Sequence, residues 1–381
     1  MRLAADGVTY GAWIPYASSM RVTLPGVVGA KTVAAQYRDP AGNVLSLQDS
    51  IMYDPQARVL SVVEIAGADR YATALRVSRS TFPTGGCDTV VIATGSNYPD
   101  ALGAGGLAGA VRGPVLLVPS TGGLPSSVKS EIVRVTQGRS PRPAYIIGGT
   151  AAVSTTLENN LKSLLGSSSV KRLGGSDRFA TANLVARQVR ATLDAKGLPY
   201  SGEAFVVTGM AFPDALLVSP IAYAQKRPVL LVRSTVDASL RATISAVGIS
   251  RIDVVGSTAA VPSSVVTSLD AIAGVDASRV AAGTDRYAMS VVMAEWACTD
   301  EGFTTDNVGI ATGENFPDAL AAGPMQGEAR SVILLTPSAS LDSRVRNELV
   351  SRYAETTHVR FLGGLVAVSQ SVRNAVIAAL D

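Results

Sequence analysis

Short apolar runs alternate with segments of helical periodicity along most of the chain. The runs are apolar at nearly every position, as in strands that are buried on both faces of a sheet. Between the runs, apolar residues recur every three or four positions, for example at Val128, Ile132 and Val135, which predicts helices with one buried face. This alternation predicts a doubly wound α/β fold, in which helices cover both faces of a parallel sheet. It is clearest around the apolar runs at residues 89–94, 114–118 and 144–147.

The helix predicted at residues 101–111 is rich in glycine and alanine. Asp100 stands directly before it, at a position that suits a helix N-cap. Small residues recur at the corresponding places further along the chain, at 219–222 and 321–324. Because small side chains let two backbones approach closely, we expect these helices to form the surface where neighbouring modules meet.

Four motifs occur in the same order three times, which indicates tandem structural units. The first motif, Gly-x-Asp-Arg-[Tyr/Phe]-Ala, begins at residues 67, 175 and 283. The second, Thr-Gly-x-x-[Tyr/Phe]-Pro-Asp-Ala-Leu, begins at residues 94, 208 and 312. The third is an apolar run at residues 114–118, 228–232 and 331–335. The fourth, Gly-[Gly/Ser]-[Thr/Leu]-[Ala/Val]-Ala-Val-[Ser/Pro], begins at residues 148, 256 and 363.

These motifs divide most of the chain into three units, which we number one to three: 62–167, 168–276 and 277–381. We predict that each unit is a small doubly wound parallel-sheet module, and that the three modules form a pseudo-threefold arrangement. Residues 1–57 differ, because alternating positions such as Val33, Ala35 and Tyr37 predict half-exposed strands around a turn at residues 39–43. This segment resembles the last strands of a bacterial immunoglobulin-like domain, a partial β-sandwich.

Composition and charge exclude several classes of protein. Hydrophobic residues make up 47% of the chain and charged residues 17%, which is not the composition of a disordered protein. The formal net charge of +3 is too small for a dedicated nucleic-acid binder. No apolar run approaches the roughly 18 residues of a transmembrane helix, and the start of the chain lacks a signal peptide. We therefore expect a fragment of a larger extracellular protein.

The residue types that repeat argue against catalysis. A single histidine excludes a histidine-rich metal site, and the two cysteines, Cys87 and Cys298, form no Cys-x-x-Cys pair. Whether these cysteines pair with each other cannot be read from the sequence. The motifs repeat Asp, Arg, aromatic residues, Pro and Gly, with no His, Cys or Lys in register. We expect no catalytic residue, no metal and no cofactor.

The first motif has two interpretations, which can both hold. In the structural one, the aspartate caps a helix, the arginine pairs with it and the aromatic residue enters the core. In the functional one, the arginines face a shared groove and bind an anionic ligand, since guanidinium groups suit carboxylate and phosphate. The aspartates are Asp69, Asp177 and Asp285, and the arginines are Arg70, Arg178 and Arg286.

The second motif follows a predicted strand, at the edge of a parallel sheet where α/β proteins bind ligands. A helix N-terminus there favours anions, unless the aspartates of the motif already occupy it as caps. A Gly-x-Gly-x-x-Ala pattern at residues 103–108 lies inside the predicted helix and is absent from the other units, which argues against dinucleotide binding. The aspartates are Asp100, Asp214 and Asp318.

Taken together, the motifs resemble the type 2 cell-wall-binding repeat, over about 320 of the 381 residues. The resemblance implies non-covalent anchoring of Gram-positive surface proteins and autolysins by three modules packed as a pseudo-trimer. It also implies an anionic, teichoic-acid-like wall polymer as ligand, held in grooves between modules near a Pro-Ile-Leu-Leu segment. Unit three departs from the pattern, with Ser331 in place of proline and Met289 in place of threonine. The corresponding residues are Pro114, Val115, Leu116 and Leu117, then Pro228, Val229, Leu230 and Leu231, then Val332, Ile333 and Leu334.

The resulting hypothesis is a monomeric, extracellular wall-anchoring segment with an internal pseudo-trimer. Linked weak sites along one polymer would raise binding by roughly 10²–10⁴ without new contacts. The alternatives are an α/β enzyme or nucleotide-binding protein, which predicts one site and one ligand per chain, and a surface adhesin.

Overall fold

The computed structural model describes residues 1–17, 22, 24, 29–53, 60–97 and 99–381. It divides into two compact units, Met1–Val59 and Leu60–Asp381. Among the described residues, no helix combines the length and the apolar character needed to cross a membrane.

The N-terminal unit is a three-stranded antiparallel sheet in the order β1-β2-β3. Its strands are β1 (Arg2–Ala4), β2 (Gly29–Arg38) and β3 (Val44–Tyr53). The predicted turn joins β2 to β3, where the Asp39 carboxylate accepts hydrogen bonds from the backbone and side-chain amides of Asn43, both at 2.8 Å. The Trp13 ring lies 4.7 Å from the guanidinium of Arg2 and 4.5 Å from that of Arg38, so two cation–π contacts hold the loop after β1.

The larger unit contains, among its described residues, twelve strands and twelve α-helices. From unit one come β4 (Ser61–Ile65), α1 (Arg70–Thr81), β5 (Val90–Thr94), α2 (Ala104–Val111), β6 (Val115–Val118), α3 (Ser126–Val135), β7 (Ala144–Ile147) and α4 (Thr155–Leu165). From unit two come β8 (Val170–Leu173), α5 (Arg178–Ala195), β9 (Glu203–Thr208), α6 (Pro213–Gln225), β10 (Val229–Val232), α7 (Ala238–Val247), β11 (Arg251–Val255) and α8 (Ser263–Asp270). From unit three come β12 (Asp276–Ala281), α9 (Arg286–Asp300), β13 (Thr304–Thr312), α10 (Pro317–Glu328), β14 (Ser331–Thr336), α11 (Ser343–Ser351), β15 (His358–Leu362) and α12 (Gln370–Leu380).

The twelve strands form three four-stranded parallel sheets, which confirms the predicted fold class. The sheet orders are β6-β5-β7-β8, β10-β9-β11-β12 and β14-β13-β15-β4. Each sheet therefore takes three strands from one unit and its fourth strand from the next. The third sheet takes β4 from the start of unit one, with Ser61 opposite His358 and Ile65 opposite Leu362. This exchange closes the three modules into a ring.

The central helices of the three modules, α2, α6 and α10, pack against one another. Their small residues permit this close approach: a Cβ atom on Gly105 would lie 2.8 Å from Ser219 Oγ, and one on Gly327 would lie 2.6 Å from Tyr223 Cδ1. At distances this short a neighbouring atom would have to shift to admit a side chain, so glycine is favoured at both contacts. The predicted small-residue surface is thus the place where the modules meet.

The helix that follows the first motif links neighbouring modules in the same way each time. Helices α1, α5 and α9 cover the edge strands β6, β10 and β14 of their own units. The same helices also pack against the central helix of the preceding unit, α1 on α10, α5 on α2 and α9 on α6. The recurrence of one contact at three places agrees with the predicted pseudo-threefold arrangement.

Candidate functional site

Three of the four motifs meet where one module ends and the next begins, a place that we call a junction. The second motif follows the central strand of a sheet and the fourth motif follows its neighbour, for example after β5 and β7. The first motif of the next unit follows the edge strand of the same sheet, for example after β8. All three therefore lie at the carboxyl edge, beside the point where the strand order reverses, which is the usual ligand position in such sheets.

The junction between units three and one holds a groove with a volume of about 480 Å³. Arg70 and Asp69 of the first motif line it together with Asp318 of the second motif. The apolar rim is formed by Leu365 and Val366, which are 55% and 95% exposed. The remaining lining residues are Gly67, Ala68, Thr73, Thr312, Glu314, Asn315, Pro317, Ser338, Gly364 and Ala367.

The junction between units two and three has the same construction on a smaller scale, with a groove of about 160 Å³. It brings Asp285 and Arg286 of one unit to Asp214 of the preceding one. The remaining lining residues are Thr208, Ala211, Pro213, Ser257, Ala260, Gly283, Thr284 and Met289. At the junction between units one and two, a Cβ atom on Gly174, the residue before the first motif, would lie 2.7 Å from the backbone of Gly148 in the fourth motif.

The three arginines of the first motif are held in one orientation. Each donates a hydrogen bond to the glycine carbonyl of the second motif in its own unit, Arg70 to Gly95 and Arg178 to Gly209 at 2.7 Å, and Arg286 to Gly313. The guanidinium of Arg70 also lies 5.7 Å from the ring of Phe316, and that of Arg286 lies 5.5 Å from the ring of Phe212. These rings belong to the second motif of the preceding unit, so each of these two arginines spans a junction. The corresponding aromatic residue of unit one, Tyr98, lies outside the described residues.

The aspartates of the first motif are helix N-caps. Asp69, Asp177 and Asp285 precede α1, α5 and α9, and their carboxylates accept hydrogen bonds from backbone amides of the first turn at 2.7–3.0 Å. The Ala180 amide, together with Arg233 at 2.8 Å, holds the pKa of Asp177 below its usual range. At Asp285 burial raises the pKa, but hydrogen bonds from the Ala288 amide and from Arg344 outweigh burial and hold the pKa below its usual range. The structural interpretation of this aspartate and the functional interpretation of the adjacent arginine are therefore compatible.

The aspartates of the second motif lie inside the first helical turn rather than at the N-cap. In units two and three the N-caps are Phe212 and Phe316, followed by proline at the first helical position, and neither cap has a side-chain hydrogen bond. Proline takes that position because it lacks an N–H and its φ suits a helix. In unit one, Asp100 lies in a 3₁₀ turn, Pro99–Gly103, that precedes α2. The predicted capping by Asp100, Asp214 and Asp318 is thus replaced by a different contact.

That contact is with the first glycine of the fourth motif. A Cβ atom at Gly148 would lie 2.8 Å from Oδ2 of Asp100, and one at Gly363 would lie 2.6 Å from Oδ2 of Asp318. Both glycines also have a positive φ, 105° and 106°, which other residues rarely adopt. The carboxylates are therefore packed against the turn that ends the neighbouring strand, at the floor of the junction.

Burial raises the pKa of these carboxyl groups to different extents. At Asp214 it raises the pKa to about 6, with the charge of Arg286 opposing. At Asp318 it also raises the pKa, but Thr73 donates a hydrogen bond and Arg70 contributes its charge, and both oppose the shift. The residue equivalent to Thr73 at the junction of Asp214 is Met289, which is 2% exposed and cannot donate. The substitution noted in the sequence therefore changes the electrostatics of one junction.

The third motif lies in the sheets and not on the grooves. It forms β6 and β10 and most of β14, and each of its valine, leucine and isoleucine side chains is at most 4% exposed. Pro114 and Pro228 are buried as well. Side chains buried to this degree do not reach a polymer, so the structure does not place these residues at a contact surface. They are Val115, Leu116 and Leu117, then Val229, Leu230 and Leu231, then Val332, Ile333 and Leu334.

Cys87 and Cys298 are both free. Burial raises the pKa of Cys87 to about 12 and that of Cys298 to about 11. Neither side chain is therefore a thiolate at neutral pH, and a thiolate is the form that attacks or binds metal. Among the described residues, no three His, Cys, Asp or Glu side chains come together as metal ligands.

Sequence reasoning missed the groove residues that are specific to one unit. Leu365 and Val366 belong to the fourth motif, to which the sequence assigned no contact, and they line the groove between units three and one. Glu314 and Ser338 line the same groove at positions that the repeated motifs do not define. The search for shared motifs could not find them, because repetition reveals only positions where the units agree.

Similarity to known proteins covers most of the chain. The sequence model of the family described as Cell wall binding domain 2 (CWB2) matches residues 64–158, 172–266 and 280–373, one match in each predicted unit. The N-acetylmuramoyl-L-alanine amidase LytC of Bacillus subtilis (strain 168) is 28% identical over 315 residues, which cover 82% of this chain and 58% of the amidase. The amidase enhancer of the same strain is 26% identical over 313 residues, which cover 81% of this chain and 39% of the enhancer. The chain thus spans between two fifths and three fifths of these relatives.

Two solved structures share the fold. Cwp8 from Clostridium difficile has a TM-score of 0.71 at 22% identity, over 93% of this chain and 60% of that one. Cwp6 from the same organism has a TM-score of 0.71 at 21% identity, over 94% of this chain and 58% of that one.

Proposed function

The chain belongs to the cell wall binding domain 2 family, and from this premise we propose that it anchors a larger surface protein to the cell wall without a covalent bond. The ligand in this proposal is an anionic, teichoic-acid-like wall polymer. It binds at the three junctions between modules, and the chain catalyses no reaction. One observation carries the proposal: the first-motif arginine of one unit and the second motif of the preceding unit line the same groove.

The arginines supply the cation that an anionic polymer requires. Arg286 is exposed, and Arg70 and Arg178 are half-buried. The bond to a glycine carbonyl uses one of the five N–H donors of each guanidinium and fixes its direction. A fixed guanidinium loses little side-chain entropy on binding, and its paired donors match a phosphate or carboxylate. We therefore assign the polymer contact to Arg70, Arg178 and Arg286.

The carboxylates near these arginines do not cancel their charge at the groove. The first-motif aspartates direct their carboxylates at backbone amides of a helix N-terminus, whose partial positive charge they balance. Asp214 is buried and Asp318 is half-buried, and both carboxylates pack against the first glycine of the fourth motif at the floor of the junction. Arg70 and Arg286 are the cations that line the two grooves described.

The strand residues of the third motif do not contact the polymer in this proposal. Their burial supports a different role, which is to hold the sheet whose carboxyl edge carries the groove. It also treats the chain as a monomer, because the three modules already close into a ring within one molecule.

A triple variant tests the assignment of the arginines. We expect Arg70→Ala, Arg178→Ala and Arg286→Ala together to weaken binding to purified walls by at least about tenfold, since linked sites lose avidity together. The matched control changes one exposed arginine per unit away from the grooves: Arg76→Ala, Arg241→Ala and Arg346→Ala. It lowers the net charge equally and should retain binding, with circular dichroism showing that both variants fold. Equal binding by the two variants would contradict the proposal.

A further inference from the structure

Three basic residues occupy equivalent places at the far ends of the central helices. Arg112 follows α2, Lys226 follows α6 and Arg330 lies two residues after α10. Each comes twelve residues after the aspartate of the second motif. The thirteen residues of α6 separate this end from the grooves by roughly 20 Å.

All three residues have a left-handed backbone conformation. Their φ values are 52°, 58° and 46°, and within the described part of the chain no other non-glycine residue has a positive φ. Helices often end on such a residue, which is usually glycine because a Cβ atom is unfavourable there. Each unit instead carries a long cationic side chain at this position. A repeated departure from the favoured residue, at equivalent positions, points to a function for the side chains.

The three cations line one cavity of about 220 Å³. Because the cavity is bounded by the ends of all three central helices, it lies on the pseudo-threefold axis. Its polar wall includes Tyr223 and Glu328, and Gly109 and Gly327 complete the lining together with Ala224.

The cavity carries a positive charge that the chain does not neutralise. Glu328 accepts from Arg112, at 3.1 Å from Nε and 3.3 Å from Nη2, and from the Tyr223 hydroxyl at 2.8 Å. Within the described residues, neither Lys226 nor Arg330 forms an ion pair. Two positive charges therefore remain after Glu328 is counted.

A role in stabilising the helix C-termini does not fully explain why basic residues occupy these three positions. A cation near a helix C-terminus interacts favourably with its carbonyl groups. At α2, however, Lys196 already donates to the last carbonyls, those of Ala110 and Val111, at 3.2 and 3.3 Å. The hydrogen bonds of Arg112 go instead to Glu328, in the wall of the cavity.

We propose that this axial cavity binds a phosphate group, as inorganic phosphate or at the end of a phosphomonoester. A tetrahedral oxyanion has a threefold axis through one of its oxygen bonds, so its three other oxygens match three cations arranged around the pseudo-threefold axis. Arg112 keeps three N–H donors beyond those used by Glu328. The site is separate from the grooves and does not depend on wall binding.

The test measures phosphate affinity by calorimetry at low ionic strength in the full chain. We expect one site for inorganic phosphate and for glycerol 3-phosphate, and markedly weaker binding of a phosphodiester, which has no terminal phosphate. In Lys226→Gly/Arg330→Gly the backbone strain is relieved, so the protein should be at least as stable while phosphate affinity falls by about tenfold or more. Glu328→Gln should raise the affinity, because it removes the competing carboxylate.

Arg241→Ala/Arg346→Ala is the matched control for net charge and should bind phosphate as the parent does. The proposal is overturned if the parent chain binds no phosphate, or if the double glycine variant binds it with unchanged affinity. If the double glycine variant loses thermal stability while its phosphate affinity is unchanged, Lys226 and Arg330 stabilise the helix C-termini and do not bind phosphate.

Discussion

At the scale of single residues, the junctions are equivalent in geometry but not in chemistry. Thr73 and Thr181 accept hydrogen bonds from the amides of Gly67 and Gly175, both at 3.1 Å, and so close the first motif. Met289 cannot accept this bond, and it leaves Asp214 without the hydroxyl donor that Asp318 has. This residue therefore changes the hydrogen bonding of the buried aspartate at one junction.

The raised pKa of Asp214 predicts a pH-dependent stability. Its carboxyl group titrates near 3.8 in the unfolded chain and near 6 in the folded one, so the folded state binds more protons between these values. The free energy of unfolding that this residue contributes therefore falls as pH rises from 4 to 6 and then stays constant. A shift of about two units corresponds to roughly 3 kcal/mol at most.

Asp214→Asn removes this titration. Relative to the parent, we expect the variant to gain stability progressively between pH 4 and 6 and to keep the gain above pH 6. Urea unfolding at pH 4, 5, 6 and 7 measures the difference. A difference between the two proteins that does not change with pH would refute the assignment.

At the scale of elements, the packing of α2, α6 and α10 depends on residues without side chains. The pattern of small residues in these helices predicted the contact, since its physical meaning is local: only small residues let helices approach. The exact helix start was not predictable in the same way. Asp100 has the sequence of a cap, but it lies inside a 3₁₀ turn, Pro99–Gly103, and α2 begins only at Ala104.

Gly105→Ala tests the contact by the sign of its effect. In an exposed helix this change stabilises by about 1 kcal/mol, because alanine has the higher helix propensity. Here the new Cβ would lie 2.8 Å from Ser219 Oγ and 3.0 Å from its carbonyl oxygen, so we expect a loss of roughly 1–3 kcal/mol. Gly364→Ala, with no heavy atom within 4 Å of its Cβ, is the control. Thermal unfolding that shows Gly105→Ala to be stabilising would be inconsistent with this packing.

At the scale of the whole molecule, the first repeat completes the last sheet. The repeated motifs were enough to predict three parallel-sheet modules and their pseudo-threefold arrangement, and the family matches confirm the recognition. They could not reveal that β4 pairs with β15, almost three hundred residues away, because apolar periodicity identifies a strand but not its partner. The continuous apolar character of the third motif did predict a strand that is buried on both faces. Only the family resemblance placed this motif at the polymer, and the burial of its side chains argues against that contact.

Two deletions test the closure of the ring. Removal of residues 1–59 leaves all strands of the three sheets, so we expect the unfolding temperature of the larger unit to change little. Removal of residues 1–66 also deletes β4, exposes the edge of β15 and breaks the ion pair between Glu64 and Arg373. The second deletion should lower the unfolding temperature and speed hydrogen exchange at His358–Leu362. Identical behaviour of the two deletions would show that β4 is dispensable.

Binding to purified cell walls tests the proposed recognition of an anionic polymer most directly. Retention is measured on intact walls and on walls from which acid has stripped the anionic polymers, each at low and high salt. We predict that the chain binds intact walls, that salt weakens this binding because counterions compete for the arginines, and that stripped walls retain almost none of it. Equal retention on intact and stripped walls would contradict the central claim.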